Sequence, residues 1–275
     1  PNMFEMEGNV CYNSAMETKH AKPKKKKNIV LIILIIICIG VMLFAGYQIF
    51  GIMNEYSIGD KEYDSLSQLA GIDKQTISKI EESPEQAKMI NMDFDELSKV
   101  NDEIVGWILS PGTVINYPIV QGENNSKYLN TTFDGTYNKN GCIFLNYNNA
   151  PDFTDRNSVI YGHRMNSGKM FASLLEYKNQ EYYEAHREMY LYTPDQIYKL
   201  EVFSAYVDNV EGNYYQMSFE DEEDYLSFLN ERVKKSLIKT EVELTKDDRI
   251  ITMQTCTKGS QDERFIVHAK LTPME

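Results

Sequence analysis

Hydrophobic and polar positions give the chain three textures. From Ile29 to Phe50, 22 residues pass without a formal charge, a run long enough to cross a bilayer as a helix. Leu66 to Ile80 and Pro84 to Val100 then place apolar residues at mixed spacings of three and four, with Ser83-Pro84-Glu85 reading as a helix start; they predict packing helices. From Trp107 onward, short β-branched and aromatic runs alternate with turn clusters such as Ser110-Pro111-Gly112, Gln121-Gly122-Glu123-Asn124-Asn125, Asn138-Lys139-Asn140-Gly141 and Asn146-Tyr147-Asn148-Asn149. This spacing predicts the strands of a barrel or sandwich.

Two helical patterns interrupt the strands. One covers Met170 to Leu175 and continues through Glu181 to His186. The other, Asp221 to Ser236, has acids in its first turn and Arg232, Lys234 and Lys235 in its last, as the helix dipole favours. A strand pair follows at Arg249 to Cys256 and Arg264 to Leu271. In the second strand Phe265, Val267, Ala269 and Leu271 share one parity and predict a core face, while Arg264, Ile266 and His268 share the other.

Charge sets the expected organisation. Lys22 and Lys24 to Lys27 stand directly before the apolar run, and such a cluster is retained on the cytoplasmic side. The expectation is a cytoplasmic tail over residues 1–28, a transmembrane anchor over 29–53, a helical region over 54–100 and a β-barrel over 101–275, with everything after the anchor outside the cell. A cleaved signal peptide is the competing reading. The apolar run is too long for a signal core, and no small-x-small site follows it within Gly46 to Gly51.

The six lysines and three acids of residues 1–53, taken from totals of 28 and 41, leave 22 basic and 38 acidic residues in the remainder, a net charge of −16. So acidic an exterior repels phosphate and excludes nucleic acid as a partner. Its plain role is solubility beside anionic envelope polymers.

Four cysteines are present: Cys11 in the tail, Cys38 in the apolar run, Cys142 and Cys256 beyond it. No disulfide framework is expected. Cys142, in Gly141-Cys142-Ile143-Phe144-Leu145, reads as a small buried hydrophobe. Cys256 closes the strand Thr252-Met253-Gln254-Thr255-Cys256, with Arg264 eight residues on and His163 upstream in Val159-Ile160-Tyr161-Gly162-His163. A thiol at a strand mouth with an imidazole and a guanidinium to draw on suits nucleophilic acyl transfer. Among the other histidines, His20 lies in the tail, His186 in a polar helix, and His268 is the serious rival because it shares strand and parity with Arg264. Arg164, next to His163, is the rival to Arg264. No metal-ligand spacing, calcium loop or organic-cofactor motif is visible.

At these residues the chain resembles the sortases, and within them class B. The family's Thr-Leu-x-Thr-Cys signature stands here as Thr252-Met253-Gln254-Thr255-Cys256. Val105-Gly106-Trp107-Ile108, Pro111-Gly112-Thr113, Tyr117-Pro118-Ile119-Val120-Gln121, Tyr161-Gly162-His163-Arg164-Met165 and Gly168-Lys169-Met170-Phe171 are also similar to class B. The likeness runs from about Phe94 to Leu271, and Asp221 to Ser236 falls where class B carries an extra helix before the strand with the cysteine.

The resemblance implies a mainly β fold, a closed barrel of about eight strands with N-terminal helices. It also implies a membrane-anchored transpeptidase that cuts an Asn-Pro-x-Thr-type sorting signal after Thr and joins the surface protein to an amine of the cell wall. Cys256 would be the nucleophile, His163 the acid and Arg264 the holder of the oxyanion. Asn125 and Leu129, from the stretch Asn125, Lys127, Tyr128, Leu129 that is similar to the class B Asn-x-x-Tyr-Leu, would line the peptide groove. Gln254 stands where class B usually has Ser and would reshape that groove. Tyr214 and Tyr215, before the extra helix, would touch substrate or else form an aromatic pair at a strand edge.

Three other classes compete. A papain-like peptidase places its Cys before its His and at a helix start; here both relations are reversed. Asn140-Gly141-Cys142-Ile143 imitates an L,D-transpeptidase motif without the upstream histidine. A membrane-tethered binding module with an inactive barrel would have Cys256 buried.

Overall fold

The computed structural model describes residues 28–274; the tail expected before them, with Cys11, His20 and the lysine cluster, lies outside the described residues. The chain divides between Ile49 and Phe50 into two compact units. Helix α1, Ile29–Leu69, begins in the first and ends in the second. Its start is the apolar run, whose large side chains are all exposed. In its last turns Tyr63 and Leu66 are buried in the main core.

The helical region differs from its prediction in where it breaks. Apolar spacing predicts one helix over Leu66 to Ile80, but Gly71 takes a left-handed φ of 72°. Ala70 N–H returns to Leu66 O at 2.8 Å and Ile72 N–H to Ser67 O at 2.9 Å, closing the helix in the manner glycine permits. Asp73 then caps α2, Lys74–Glu82, by accepting from Thr76 N–H at 2.7 Å. Pro84 to Val100 divides as well. A 3₁₀ segment, Pro84–Met89, precedes α3, Phe94–Val100, because Asp93 caps afresh by accepting from Glu96 N–H at 2.9 Å.

Eight strands close a barrel: β1 Ile104–Leu109, β2 Asn116–Val120, β3 Ile143–Leu145, β4 Asn157–Tyr161, β5 Glu188–Tyr192, β6 Ile197–Asn209, β7 Arg249–Cys256 and β8 Glu263–Pro273. Their order around the barrel is β1-β2-β3-β4-β7-β8-β6-β5, so the sandwich alternative is set aside and the mainly β expectation stands. Pairings are antiparallel except β2 with β3 and β4 with β7. Parallel neighbours need a long crossover. The one from β4 to β7 contains the 3₁₀ segment Phe171–Lys178, α4 Gln180–Ala185, β5, β6 and α5 Glu222–Lys235. The predicted helix from Met170 to His186 is therefore two pieces, since Asn179 starts α4 by accepting from Glu181 N–H at 2.9 Å.

Helix α5 falls where its charge pattern placed it, capped by Asp221 accepting from Asp224 N–H at 2.9 Å. Tyr225, Phe228 and Leu229 pack on Phe203 and Ile250 of the barrel's outer surface. Removing the Phe228 ring would cost about 3–5 kcal/mol in transfer and cavity terms. This packing also alters β8. Phe265, Val267, Ala269 and Leu271 face the core as predicted, yet Ile266 and His268 on the opposite parity are buried too, because α5 and the segment before it cover that face.

Candidate active site

Alternation along β7 and β8 builds the site. Ile251 and Met253 point into the barrel core with Val267 and Ala269, so the opposite parity lies outside. There the register makes three successive cross-strand pairs: Cys256 with Arg264, Gln254 with Ile266, and Thr252 with His268. Strand β4 runs parallel to β7 with Tyr161 beside Gln254, and Gly162 N–H donates to Gln254 O at 3.1 Å. His163, leaving β4, thus reaches the same rim as Cys256. Gly162 is required by space: a Cβ there would fall 2.5 Å from Ile143 Cδ1 and 2.5 Å from Phe171 Cδ2.

All three residues line one cleft of about 520 Å³, together with Asn125, Leu129, Gln254 and Tyr214. The sulfur of Cys256 is an exposed free thiol. His163 Nε2 lies 2.6 Å from the carbonyl oxygen of Leu129. A carbonyl only accepts, so this nitrogen carries the proton. No hydrogen bond joins the imidazole to the thiol among the described residues. Arg264 Nη1 donates to Gln261 O at 2.6 Å and Glu263 O at 2.9 Å. These bonds fix the guanidinium on the rim and leave Nη2 uncommitted among the described residues.

The residues expected to line a peptide groove differ in how they reach the cleft. Asn125 Oδ1 accepts from Tyr147 N–H at 3.0 Å, which orients its amide, and the Leu129 side chain is exposed. Tyr214 and Tyr215 are no strand-edge pair. They sit in a 3₁₀ turn, Asn213–Tyr215, with rings edge to face at 5.3 Å. Tyr214 is buried against Tyr206 and Ile266, and this burial raises its phenol pKa; Tyr215 is the exposed member.

The rivals sit elsewhere. His268 is sealed beneath the cleft, and burial together with the nearby Arg232 and Lys235 charges holds it well below the usual imidazole range. Arg164 lines a separate cavity with Val207 and Phe265. Cys142 is buried with Sγ 3.3 Å from the Tyr63 hydroxyl, and burial pushes its thiol up. A larger cavity of about 710 Å³ between α1, α2 and β2 holds neither thiol nor imidazole. Among the described residues no cluster of three His, Cys, Asp or Glu is placed to hold a metal.

Sequence reasoning passed over Asn146, Val210 and Met217, which also line the cleft. Asn146 Nδ2 donates to the Tyr161 hydroxyl at 2.7 Å. It was legible only as a turn residue.

Comparison with known proteins points to one family. The family model described as Sortase domain matches residues 109–272. Sortase B of Staphylococcus aureus (strain NCTC 8325 / PS 47) is 33% identical over 238 residues, covering 86% of this chain and 94% of that relative. The structure titled Staphylococcus aureus sortase B-substrate complex superposes with a TM-score of 0.70 at 35% identity, covering 80% of this chain and 99% of the other. A sortase B complexed with triglycine gives 0.67 at 33% identity, covering 78% and 98%. The chain belongs to the sortase family, as a class B member, and is a cysteine transpeptidase.

Proposed function

We propose that this transpeptidase is anchored in the cell membrane by Ile29 to Phe50, faces outward, and cuts an Asn-Pro-x-Thr-type sorting signal after Thr to join a surface protein to a cell-wall amine. The observation that carries the reading is the exposed Cys256 thiol on the outer face of β7, opposite Arg264 and on the same rim as His163. The substrate and triglycine complexes of the sortase B relatives support a peptide and an amine as the two partners.

The chemistry divides among these three residues. Cys256, as thiolate, attacks the carbonyl carbon of the signal's Thr and forms a C–S bond, driving the carbonyl electrons onto oxygen. Arg264 holds that oxyanion with donors that never lose their charge. As the oxyanion collapses, the C–N bond breaks and His163 as imidazolium gives its proton to the departing amine. The wall amine then attacks the thioester, loses a proton to the imidazole and releases the thiolate. Asn125, Leu129, Gln254 and Tyr214 line the groove that receives the signal.

The lysines before the apolar run support an inward tail and an outward barrel. The decisive experiment incubates the full chain in detergent with quenched sorting-signal peptides, with and without a glycine-peptide amine. Cleavage after Thr, with an amide product when amine is present, is expected. Failure across a panel of Asn-Pro-x-Thr peptides would overturn the signal assignment.

A further inference from the structure

Two strand steps below the cleft floor, the Thr252–His268 pair belongs to a buried chain of hydrogen bonds that leads back to the cleft wall. Its proton directions are fixed from both ends. Asn157 Nδ2 lies 3.0 Å from Tyr214 O and 2.8 Å from Gln216 O; both are carbonyls, so the amide nitrogen donates to both. Its Oδ1 must then accept, and Thr252 donates to it at 2.6 Å. The Thr252 hydroxyl proton is thereby used, so its oxygen accepts from His268 Nδ1–H at 2.8 Å. Burial and the neighbouring Arg232 and Lys235 charges keep this imidazole neutral, so its Nε2 is bare and the Tyr206 hydroxyl donates to it at 2.9 Å. Arg232, which can only donate, gives Nη1–H to Tyr206 at 3.1 Å and Nη2–H to Asn213 Oδ1 at 2.8 Å.

Asn157, Thr252, His268, Tyr206 and Arg232 are all buried. Each link joins one donor to one acceptor and no polar side-chain atom of these five residues is left without a partner, the condition under which a buried polar network rigidifies its surroundings. Both of its ends grip the same short stretch. Asn213 is held by Arg232 of α5, and the carbonyls of Tyr214 and Gln216 by Asn157 of β4. Between and beside these anchors, Tyr214, Tyr215 and Met217 form one wall of the cleft.

We infer that Asn157, Thr252 and His268 are positioning residues that set the cleft wall at 213–217 and so govern how tightly the sorting peptide binds. They touch neither the thiol nor the scissile bond. The inference rests on the peptide-cleaving role of the cleft, and it locates part of substrate affinity in residues that no substrate meets.

The test compares Thr252→Val, which keeps the side-chain shape but removes the hydroxyl, with Thr252→Ser, which keeps the hydroxyl. In the full chain, with active enzyme counted by alkylation of Cys256, T252V is expected to raise KM for the sorting peptide about five-fold or more. Its kcat should stay within about two-fold, the signature of lost binding rather than lost chemistry. T252S is expected to stay near the parent. Equal KM for the two variants, or a fall in kcat alone, overturns the inference. Should T252V not fold, Tyr206→Phe removes one hydroxyl from the relay. Amide exchange over 213–217 is then expected to quicken roughly ten-fold, a change of about 1.4 kcal/mol in local opening, while β1 and β2 are unmoved. Parent-like exchange there overturns the inference without any peptide. A parent enzyme that cuts no peptide would instead sink the sorting-signal reading alone.

Discussion

His163 donates its Nε2–H to the backbone carbonyl of Leu129 across 2.6 Å. Leu129 ends the 3₁₀ turn Lys127–Leu129, so one residue lines the cleft and offers a carbonyl to the imidazole. His163→Gln can keep a donor to this carbonyl but cannot carry an exchangeable proton to a leaving amine. Peptide cleavage should fall roughly 10²–10⁴-fold with the unfolding midpoint unchanged. A variant within a few-fold of the parent in a fluorogenic assay would remove His163 from the acid role.

Gly141 sits against both partners of that bond. It takes a φ of 57°, and a Cβ there would lie 2.5 Å from Tyr128 O, 2.8 Å from Leu129 O and 3.1 Å from His163 Cδ2. Gly141→Ala should destabilise the fold by about 1–3 kcal/mol through backbone strain and displace the Leu129 carbonyl. Lower kcat with a lower melting temperature is the expected pair; a kinetically silent substitution would show that the carbonyl is not needed to orient the imidazole.

Of the two cysteines in the barrel, one is open and one is sealed. Iodoacetamide on the folded protein should modify Cys256 and spare Cys142, and Cys256→Ala should lose at least about a thousand-fold in cleavage rate while keeping its circular dichroism spectrum. Mass spectrometry of the labelled peptides reads the first outcome directly. Modification of Cys142 at a comparable rate would mean that the β3 end opens readily.

Arg264 is tied to two backbone carbonyls through Nη1. Lysine has one ammonium where arginine has a fork, and cannot serve those carbonyls and a developing oxyanion at once. Arg264→Lys should therefore lose about 10²-fold or more in kcat/KM, nearly as much as Arg264→Ala. Near-parental activity in the lysine variant would reduce the role of Arg264 to charge alone.

His268 makes stability pH-dependent. Its folded-state pKa is depressed, first by burial and then by the Arg232 and Lys235 charges. Between the unfolded value near 6.5 and the depressed folded value, the unfolded chain binds one more proton. Stability is thus fully present above about pH 6.5 and falls as pH drops below it, by up to about 1.4 kcal/mol per pH unit. Urea unfolding from pH 8 to pH 5.5 should show a shallower decline in His268→Gln than in the parent. Parallel declines would mean that His268 is charged in the folded protein.

How far the sequence could be read depended on whether the relevant force was local. Helix α5 was legible to its caps because charge and apolar spacing agree within one segment. The strand ending at Cys256 was legible because period-two alternation marks its faces. Gly71 and Asp93, which break the predicted helices, act through backbone geometry that a glycine or aspartate in a helical pattern does not announce. The pairing of Cys256 with Arg264 could be anticipated from their nearness along the chain. The convergence of His163 could not be derived from pattern, because it depends on β4 lying parallel to β7. The relay through Asn157, Thr252 and His268 left no sequence signal: a polar residue in a strand looks the same whether it faces water or a buried partner.

That parallel pairing also dictates when the enzyme can first act. Its imidazole is synthesised long before its sulfur, and the two meet only after the intervening crossover has folded back and the final staves have joined, the kind of long-range closure that comes late in folding. A newly made chain therefore has its cysteine without its partners, and the conclusion of barrel assembly doubles as the safety catch on catalysis.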